Sequence, residues 1–266
     1  MSDPAPAAPQ WDADRLQSPH AQADKRTRVQ KMFAAIAPSY DLNNRLHSFW
    51  RDQVWRRKAV KLIEIRPLDQ VVDVACGTGD LTLAFHAELQ RRISVELPRE
   101  AIEPALIGID FTFAMLPIAN RKSKIENRKS IAFLNGDAQQ LPLPDACCDV
   151  VSIAFGIRNV QDVSAALAEF HRVLRPGGRV IVLEFSEPTN PIIRALNRFY
   201  CGKVMPITAT LISGDKSGAY KYLPKSVETF LSRQQMVDHL ARAGLADISQ
   251  HPFTFGVCVC YRGFKR

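Results

Sequence analysis

The residues best suited to chemistry form a short glycine-rich stretch, D-V-A-C-G-T-G-D, at residues 73–80. It continues from an apolar, β-branched run, so Gly77 and Gly79 come where a strand ends and a helix begins. Glycine at such a point lets the backbone turn sharply and approach a ligand closely. A helix beginning at Asp80 would present free backbone N–H groups to an anionic group. Asp110 ends the next apolar run, where its carboxylate could bind two ribose hydroxyls. The pattern predicts a site for a ribose-containing cofactor.

Two cofactors fit this description, a dinucleotide and S-adenosylmethionine. A dinucleotide site favours G-x-G-x-x-G, whose third glycine permits close helix–sheet packing, but Thr82 stands at that position. S-adenosylmethionine has no pyrophosphate, and its amino-acid end needs a tight glycine turn with acceptors for an ammonium group. Asp73 and the glycine loop, residues 77–79, suit the second cofactor better. A strand–glycine–helix turn that binds no ligand is the remaining alternative.

A second pair of candidate residues follows the third predicted strand. Asp137 and Ala138 follow the apolar run at residues 131–135, with Gly136 between them and the run. A carboxylate at the carboxyl edge of a parallel sheet can accept a hydrogen bond from an adenine amino group, and the backbone N–H of Ala138 can donate to a ring nitrogen. These two residues are therefore expected at the adenine end of the cofactor.

The elements that must position these residues alternate along the chain. Short β-branched runs and helical stretches succeed each other, which predicts a parallel sheet covered on both faces. Two further strands close the chain as a hairpin. The predicted strands cover residues 70–75, 105–110, 131–135, 149–154, 179–185, 246–251 and 256–262.

The domain boundaries follow from composition. Residues 1–27 are rich in proline, alanine and glutamine and are predicted to be a disordered tail. Residues 28–266 form the predicted single α/β domain. Within it, residues 28–66 are expected to form an N-terminal helical cap. Residues 187–231 are expected to form an apolar helical excursion, called the acceptor-side excursion because it would lie on the side where a second substrate binds.

Composition excludes several classes of protein. The chain has 266 residues, 46% of them hydrophobic, and lacks the roughly 18–20 consecutive apolar residues needed to span a bilayer. Its six cysteines contain no C-x-x-C pair and no zinc-type spacing, so no metal site is expected. Reduced thiols and no evident signal peptide favour the cytoplasm.

The net charge of +8 is compatible with a nucleic acid, an anionic membrane surface or merely a solvated basic exterior. Two segments carry the excess. Residues 51–66 contain six basic and two acidic side chains, and residues 121–129 contain five and one. The second segment overlaps a near-repeat, N-R-K-S at 120–123 and again at 127–130, which is expected to form a basic surface loop.

Four motifs resemble the C-methyltransferases of menaquinone and ubiquinone biosynthesis. They are F-A-A-I-A-P-S-Y-D-L-N at 33–43, the glycine-rich stretch at 73–80, F-G-I-R-N-V at 155–160 and V-L-E-F-S at 182–186. The resemblance extends over residues 28–266. It implies the class I S-adenosylmethionine-dependent methyltransferase fold, a Rossmann-like, doubly wound α/β sheet that is mostly parallel with a C-terminal antiparallel strand.

The resemblance also implies a set of cofactor contacts. Asp110 is placed later than usual, because residues 91–103 look like an insertion. Ala154 stands where many family members have serine, so one side-chain hydrogen bond to the cofactor is lost. The residues expected to bind S-adenosylmethionine are Gly77, Thr78, Gly79, Asp110, Asp137 and Ala138.

By the same resemblance the acceptor is a polyprenylated quinol, with demethylmenaquinol favoured over a ubiquinol precursor. Arg158 and Asn159 stand after the fourth strand, where a cation and an amide could stabilise a phenolate, and they are the expected catalytic residues. A salt bridge to Glu184 is the alternative role for Arg158. Tyr40 and Asp41 could close over the methionine end, although Asp41 could equally cap a helix. Methylation of another small molecule is the alternative function.

Partners and location follow from that acceptor. A lipid substrate and the basic helix at 51–66, with Trp50 and Trp55, predict peripheral contact with the inner face of the cell membrane. Nucleic acid is not expected, since no RNA-binding module is recognisable. The oligomeric state is left open.

Overall fold

A computed structural model describes residues 11–12, 14–97, 105–128, 130–215 and 217–266. Its centre is a seven-stranded sheet in the order β3-β2-β1-β4-β5-β7-β6. Strands β1 to β5 pair in parallel, whereas β7 runs antiparallel to β5 and β6 antiparallel to β7. The predicted fold class is confirmed. The strands are β1 Val71–Val74, β2 Leu106–Asp110, β3 Ile131–Asn135, β4 Cys148–Ala154, β5 Leu174–Phe185, β6 Leu245–Phe253 and β7 Cys258–Lys265.

Ten α-helices accompany the sheet in the described ranges. Several begin at side-chain caps, which satisfy backbone N–H groups that have no partner in the first turn. Asp162 caps α6, Asn190 caps α7, and Ser232 with Gln235 forms a capping box on α10. The helices are α1 Lys25–Ile36, α2 Tyr40–His47, α3 Arg51–Leu62, α4 Asp80–Glu96, α5 Leu116–Ile125, α6 Val163–Val173, α7 Pro191–Phe199, α8 Met205–Ser213, α9 Ala219–Glu228 and α10 Arg233–Arg242.

The two faces of the sheet bury separate apolar clusters. Val72 and Val74 of β1 pack with α6 and α10, whereas Val71 faces the cluster that α3 and α4 cover. Alternate residues of one strand thus serve opposite layers, as in a parallel sheet covered on both sides. This burial holds the carboxyl ends of β1, β2, β3 and β4 along one edge.

The N-terminal segment differs from the prediction. Residues 1–10 lie outside the described residues, but Trp11 is buried and its ring centroid lies 4.5 Å from that of Tyr222 in α9. A short 3-10 helix, Arg15–Gln17, precedes α1. The predicted disorder is therefore wrong for the described residues between 11 and 27. One tryptophan supplies apolar burial that the surrounding proline-rich composition does not suggest.

The two basic or inserted segments also differ from expectation. The first copy of the near-repeat lies in α5 rather than in a loop, and the second copy begins at Asn127, which lies in the turn after α5. The start of the supposed insertion lengthens α4 to Glu96, while residues 98–104 lie outside the described ranges. No helix among the described residues is both long enough and apolar enough to cross a membrane.

Candidate active site

The glycine loop connects β1 to α4 in a conformation that requires glycine. Gly77 and Gly79 have φ values of 56° and 85°. A Cβ on Gly79 would lie 3.2 Å from the Cβ of Ala119, so a side chain there would also crowd α5. A Cβ on Gly77 would meet no atom within 4 Å, because this backbone faces open space. Gly79 thus makes the turn, and Gly77 offers its backbone to a ligand.

Asp110 reaches the glycine loop from the end of β2, despite the long connection before it. Its Oδ2 accepts a hydrogen bond of 2.7 Å from the Gly77 N–H, and its Oδ1 accepts one of 2.7 Å from the Thr112 N–H. Burial raises the pKa of Asp110 to about 6. The carboxylate is held by backbone donors at the place where the sequence predicts ribose recognition.

An open cavity lies beside this carboxylate. Four of the predicted cofactor residues line it: Gly77, Asp110, Asp137 and Ala138. Thr78 lines a smaller depression that adjoins the cavity at Tyr40, Ala75, Gly77 and Ala154. Gly79 lines neither. The structure therefore brings the predicted set together along one edge of the sheet, with Gly79 shaping the loop behind it.

Helix α1 covers the cavity on the Asp137 side. Arg26 forms an ion pair of 2.9 Å with Asp137, and its guanidinium lies 4.6 Å from the centroid of the Phe111 ring. The buried Lys25 donates a hydrogen bond of 2.5 Å from Nζ to the carbonyl of Val160. Burial lowers the pKa of Lys25 to about 8. Lys25 and Arg26 belong to the segment predicted to be a disordered tail, while Val29 and Phe33 of the predicted cap also line the cavity.

Asp73 has a supporting role that the sequence did not predict. Its two carboxylate oxygens accept hydrogen bonds of 2.7 Å from Ser152 and 2.6 Å from Thr82. Burial raises its pKa to about 6. Thr82 stands at the position of the third glycine in a dinucleotide motif, and its hydroxyl there ties α4 to β1. This contact explains why a threonine is suitable at that position.

A cluster of charged residues lies at the other end of the glycine loop, and of its members only Asp41 was a candidate from the sequence. Lys122 of α5 forms ion pairs with Asp80 and, at 2.9 Å, with Asp41. The hydroxyl of Thr78 donates a hydrogen bond of 2.6 Å to Asp41. Arg45 of α2 pairs with Asp80 at 2.8 Å. Residues of α2, α4 and α5 therefore meet at this end of the glycine loop, and α3 is linked to them by further polar contacts.

The charge balance of this cluster keeps the carboxylate of Asp80 ionised. Burial opposes ionisation of Asp80, but the positive charges of Arg56, Lys122 and Arg45 outweigh it and lower its pKa to about 2. Lys122 lies in the first copy of the near-repeat, which was expected to form a surface loop. It differs from its solvated neighbours only because its place on the helix brings it beside the glycine loop.

The two predicted catalytic residues have different surroundings. Arg158 is buried, and its Nη1 lies 2.6 Å from Oε1 of Glu184 and 2.8 Å from the carbonyl of Phe155. The structure therefore contains the salt bridge considered as the alternative for Arg158. Asn159 lines the cavity, and its Oδ1 accepts a hydrogen bond of 3.0 Å from the hydroxyl of Tyr222. Tyr222 belongs to the acceptor-side excursion and was not predicted as a site residue.

Known proteins resemble this chain in sequence and in fold. Residues 21–265 match the model of a family described as the ubiE/COQ5 methyltransferase family. The chain is 39% identical to a ubiquinone/menaquinone biosynthesis C-methyltransferase UbiE of Geotalea daltonii, over 91% of this chain and 98% of that protein. It is 42% identical to a demethylmenaquinone methyltransferase of Thermus thermophilus, over 87% and 99%.

Solved structures share the fold at much lower identity. A SAM-dependent methyltransferase of Thermotoga maritima, described as a possible histamine N-methyltransferase, superposes with a TM-score of 0.58 at 20% identity, over 90% of this chain and all of that one. A Haemonchus contortus phosphoethanolamine N-methyltransferase 2, solved with S-adenosyl-L-methionine, gives a TM-score of 0.54 at 12% identity, over 81% and 52%. At these identities the likeness concerns the fold alone.

Proposed function

The chain belongs to the ubiE/COQ5 methyltransferase family, and we propose that it methylates a ring carbon of a polyprenylated quinol, converting demethylmenaquinol to menaquinol. The observation that carries this proposal is the position of Asn159 on the wall of the same cavity that the cofactor residues line. Relatives named for menaquinone and for ubiquinone both match, and a ubiquinol precursor is the second acceptor to test.

S-adenosylmethionine fits the residues present. The open backbone at Gly77 forms a cradle, and the carboxylate of Asp110 is fixed beside it. We assign the ribose to Asp110, the adenine to Asp137 and Ala138, and the amino-acid end to the side of Thr78. Bound there, the cofactor supplies an electrophilic methyl group on a sulfonium.

The acceptor must become a carbon nucleophile within this cavity. When a quinol hydroxyl loses its proton, electron density moves to the adjacent ring carbon. That carbon would form the new bond to the methyl group as the carbon–sulfur bond breaks with its electrons left on sulfur, and the ring proton would then pass to water. Stabilising the phenolate oxygen is therefore the main task of the protein. The amide of Asn159 is the group we assign to it.

Arg158 serves this step through its neighbours. Its guanidinium is occupied by Glu184 and by the carbonyl of Phe155, so it holds the turn that carries Asn159. We therefore propose Arg158 as a positioning residue and Asn159 as the catalytic residue.

A direct test is methyl transfer from labelled S-adenosylmethionine to demethylmenaquinol with the purified chain. Asn159→Ala should lower kcat on the order of 100-fold, as when one oxyanion donor is removed, with little change in cofactor affinity. Wild-type protein that binds the cofactor but methylates no reduced prenylquinone precursor would point to another small-molecule acceptor.

We also propose that the chain works as a peripheral protein at the cytoplasmic face of a membrane, because a prenylated quinol resides in lipid. The surface predicted for this contact needs revision. Trp55 is only 4% exposed and donates to Thr254, and Arg56 is buried in an ion pair with Asp52. Trp55 and Arg56 are buried because α3 packs against the sheet with this side. Helix α3 leaves Arg57 and Lys58, but not its tryptophan, facing outward.

A further inference from the structure

An extensive apolar surface lies outside the cavity, on two consecutive helices and the turn before α3. Its members are large side chains that face solvent, although burial of each would be favourable. We refer to this set as the apolar face. It consists of Ile192, Leu196 and Phe199 of α7, Ile207 and Leu211 of α8, and Phe49 and Trp50 of the turn.

The three parts of the apolar face are joined by direct contacts. The rings of Phe49 and Tyr200 lie 5.9 Å apart, and the Tyr200 hydroxyl donates to the carbonyl of His47 at 3.2 Å. The ring of His47 is also hydrogen-bonded to Thr208 of α8 at 2.8 Å. On α7 the exposed residues are spaced by four and three, so they share one side of the helix. The turn, the end of α7 and α8 therefore lie side by side, and their exposed apolar side chains belong to one region of the surface.

The fold does not bury the side chains of the apolar face. Along the described residues of α7 none is buried, whereas α8 turns Met205 and Ala209 inward against Met32 and Ile36. The outward side of α8 carries Ile207 and Leu211. Helix α8 thus has two apolar sides, one toward the core and one toward solvent, whereas an ordinary surface helix has a polar side toward solvent.

Charge indicates what covers the apolar face. Residues 188–214 contain Arg194, Arg198 and Lys203 and no acidic residue, and the exposed Arg51 follows Trp50. Arg198 is paired with Glu187 at 2.8 Å, so Arg194, Lys203 and Arg51 carry the excess positive charge. A second copy docking through the same face by twofold symmetry would bring these cations together. An anionic lipid surface would instead attract them while its acyl region accepts the apolar side chains.

The geometry points to the apolar face as the site where this chain docks on a bilayer that contains anionic phospholipid. This inference rests on the proposed lipid acceptor and replaces α3 as the membrane contact. The inner side of α8 belongs to the same buried cluster as Val29 and Phe33 of α1, and these two residues line the cavity. Docking would therefore place the bilayer on the far side of this cluster from the site where the quinol ring must react.

Vesicle flotation tests this inference with the full chain. Leu196 and Leu211 are 66% and 79% exposed, so Leu196→Glu/Leu211→Glu should fold normally. The matched control is Val95→Glu/Ile125→Glu, at two residues that are 72% and 76% exposed on α4 and α5. Wild-type and control proteins should float with vesicles of phosphatidylcholine and phosphatidylglycerol, and less with phosphatidylcholine alone. The double variant at the apolar face should bind at least about tenfold more weakly, since two leucines leave the acyl region.

Three readouts separate the possible failures. Equal flotation of both double variants, or no flotation of the wild type, would overturn the docking site. Unchanged flotation with a shift from dimer to monomer in the Leu196→Glu/Leu211→Glu variant would show that a second copy covers this face. The ratio of turnover on vesicle-borne demethylmenaquinol to turnover on a short-chain, water-soluble analogue should fall in that variant alone. If the wild type methylates neither acceptor, the proposed function fails, whatever the flotation shows.

Discussion

The hydroxyl of Tyr222 donates a 3.0 Å hydrogen bond to Oδ1 of Asn159. The Nδ2 of the same amide donates to the carbonyl of Phe155 at 3.3 Å. The tyrosine comes from α9 of the acceptor-side excursion, and the asparagine from the turn after β4. This contact therefore joins the acceptor-side excursion to the sheet edge that holds the proposed cofactor residues, and it orients the amide before any substrate binds.

Removing this hydroxyl tests the orientation of Asn159. Tyr222→Phe should lower kcat about tenfold, the equivalent of one hydrogen bond, and leave the KM for S-adenosylmethionine unchanged. Tyr261→Phe is a suitable control, because that tyrosine is buried in another cluster, among the strands. Steady-state kinetics with demethylmenaquinol supplies the measurement. An effect confined to the KM for the cofactor would contradict the assigned role.

The Arg158–Glu184 pair should behave as a buried ion pair. Arg158→Met leaves the Glu184 carboxylate buried without its partner and should lower the free energy of unfolding by about 3–5 kcal/mol. Arg158→Met/Glu184→Met removes both charges and should recover much of that loss. Urea unfolding of Arg158→Met, Glu184→Met and the double variant measures the coupling between the two charges.

Turnover of the same double variant separates the two roles of Arg158. If Arg158 is a positioning residue, the double variant should regain partial activity together with its stability. A stable double variant with no more activity than Arg158→Met would instead show that the guanidinium itself is needed in the reaction.

Lys122 should matter for cofactor binding, although it lies in a basic near-repeat. Lys122→Met leaves Asp41 and Asp80 without their lysine partner and should raise the KM for S-adenosylmethionine about tenfold. Lys122→Arg should restore part of the affinity. Lys124→Met removes an exposed lysine from the same helix and should have no effect. Equal effects of the two methionine variants would show that only the net charge of α5 matters.

Cofactor affinity should depend on pH through Asp110. Burial raises its pKa from 3.8 to about 6, so the carboxylate that accepts from Gly77 loses its charge as the pH falls through 6. The Kd for S-adenosylmethionine should therefore rise below about pH 6. Asp110→Asn should bind weakly at every pH and lose this dependence. Calorimetric titrations between about pH 5 and pH 8 measure the Kd for S-adenosylmethionine in both proteins. An unchanged pH profile in the variant would assign the titration to another group.

The same pKa shift affects stability with the opposite sign from an ordinary ion-paired aspartate. Because the folded state favours the protonated acid, the stabilising contribution of Asp110 is present below pH 3.8 and is lost as the pH rises through about 6. Asp73 has a pKa raised to about 6 by burial and should contribute in the same direction. Asp73→Asn should therefore flatten the increase in urea stability on acidification across this window.

The sequence predicts most of the sheet edge and little of what surrounds it. Gly77, Asp110 and Asp137 could be placed because the carboxyl ends of parallel strands meet at one edge, whatever the length of the connections. Lys122 could not be placed, because a lysine in a basic helix looks the same whether it faces solvent or the glycine loop. Trp11 and Tyr222 meet across more than 200 residues, a contact that no local pattern indicates.

The position of the transferred methyl group tests the central claim most directly. Wild-type protein is incubated with isotopically labelled S-adenosylmethionine and demethylmenaquinol, and the product is examined by NMR. The label is predicted at the unsubstituted ring carbon beside a quinol hydroxyl, with formation slowed strongly in Asn159→Ala. Label found on a quinol oxygen, or unlabelled quinol recovered from protein that binds the cofactor, would contradict carbon methylation at this site.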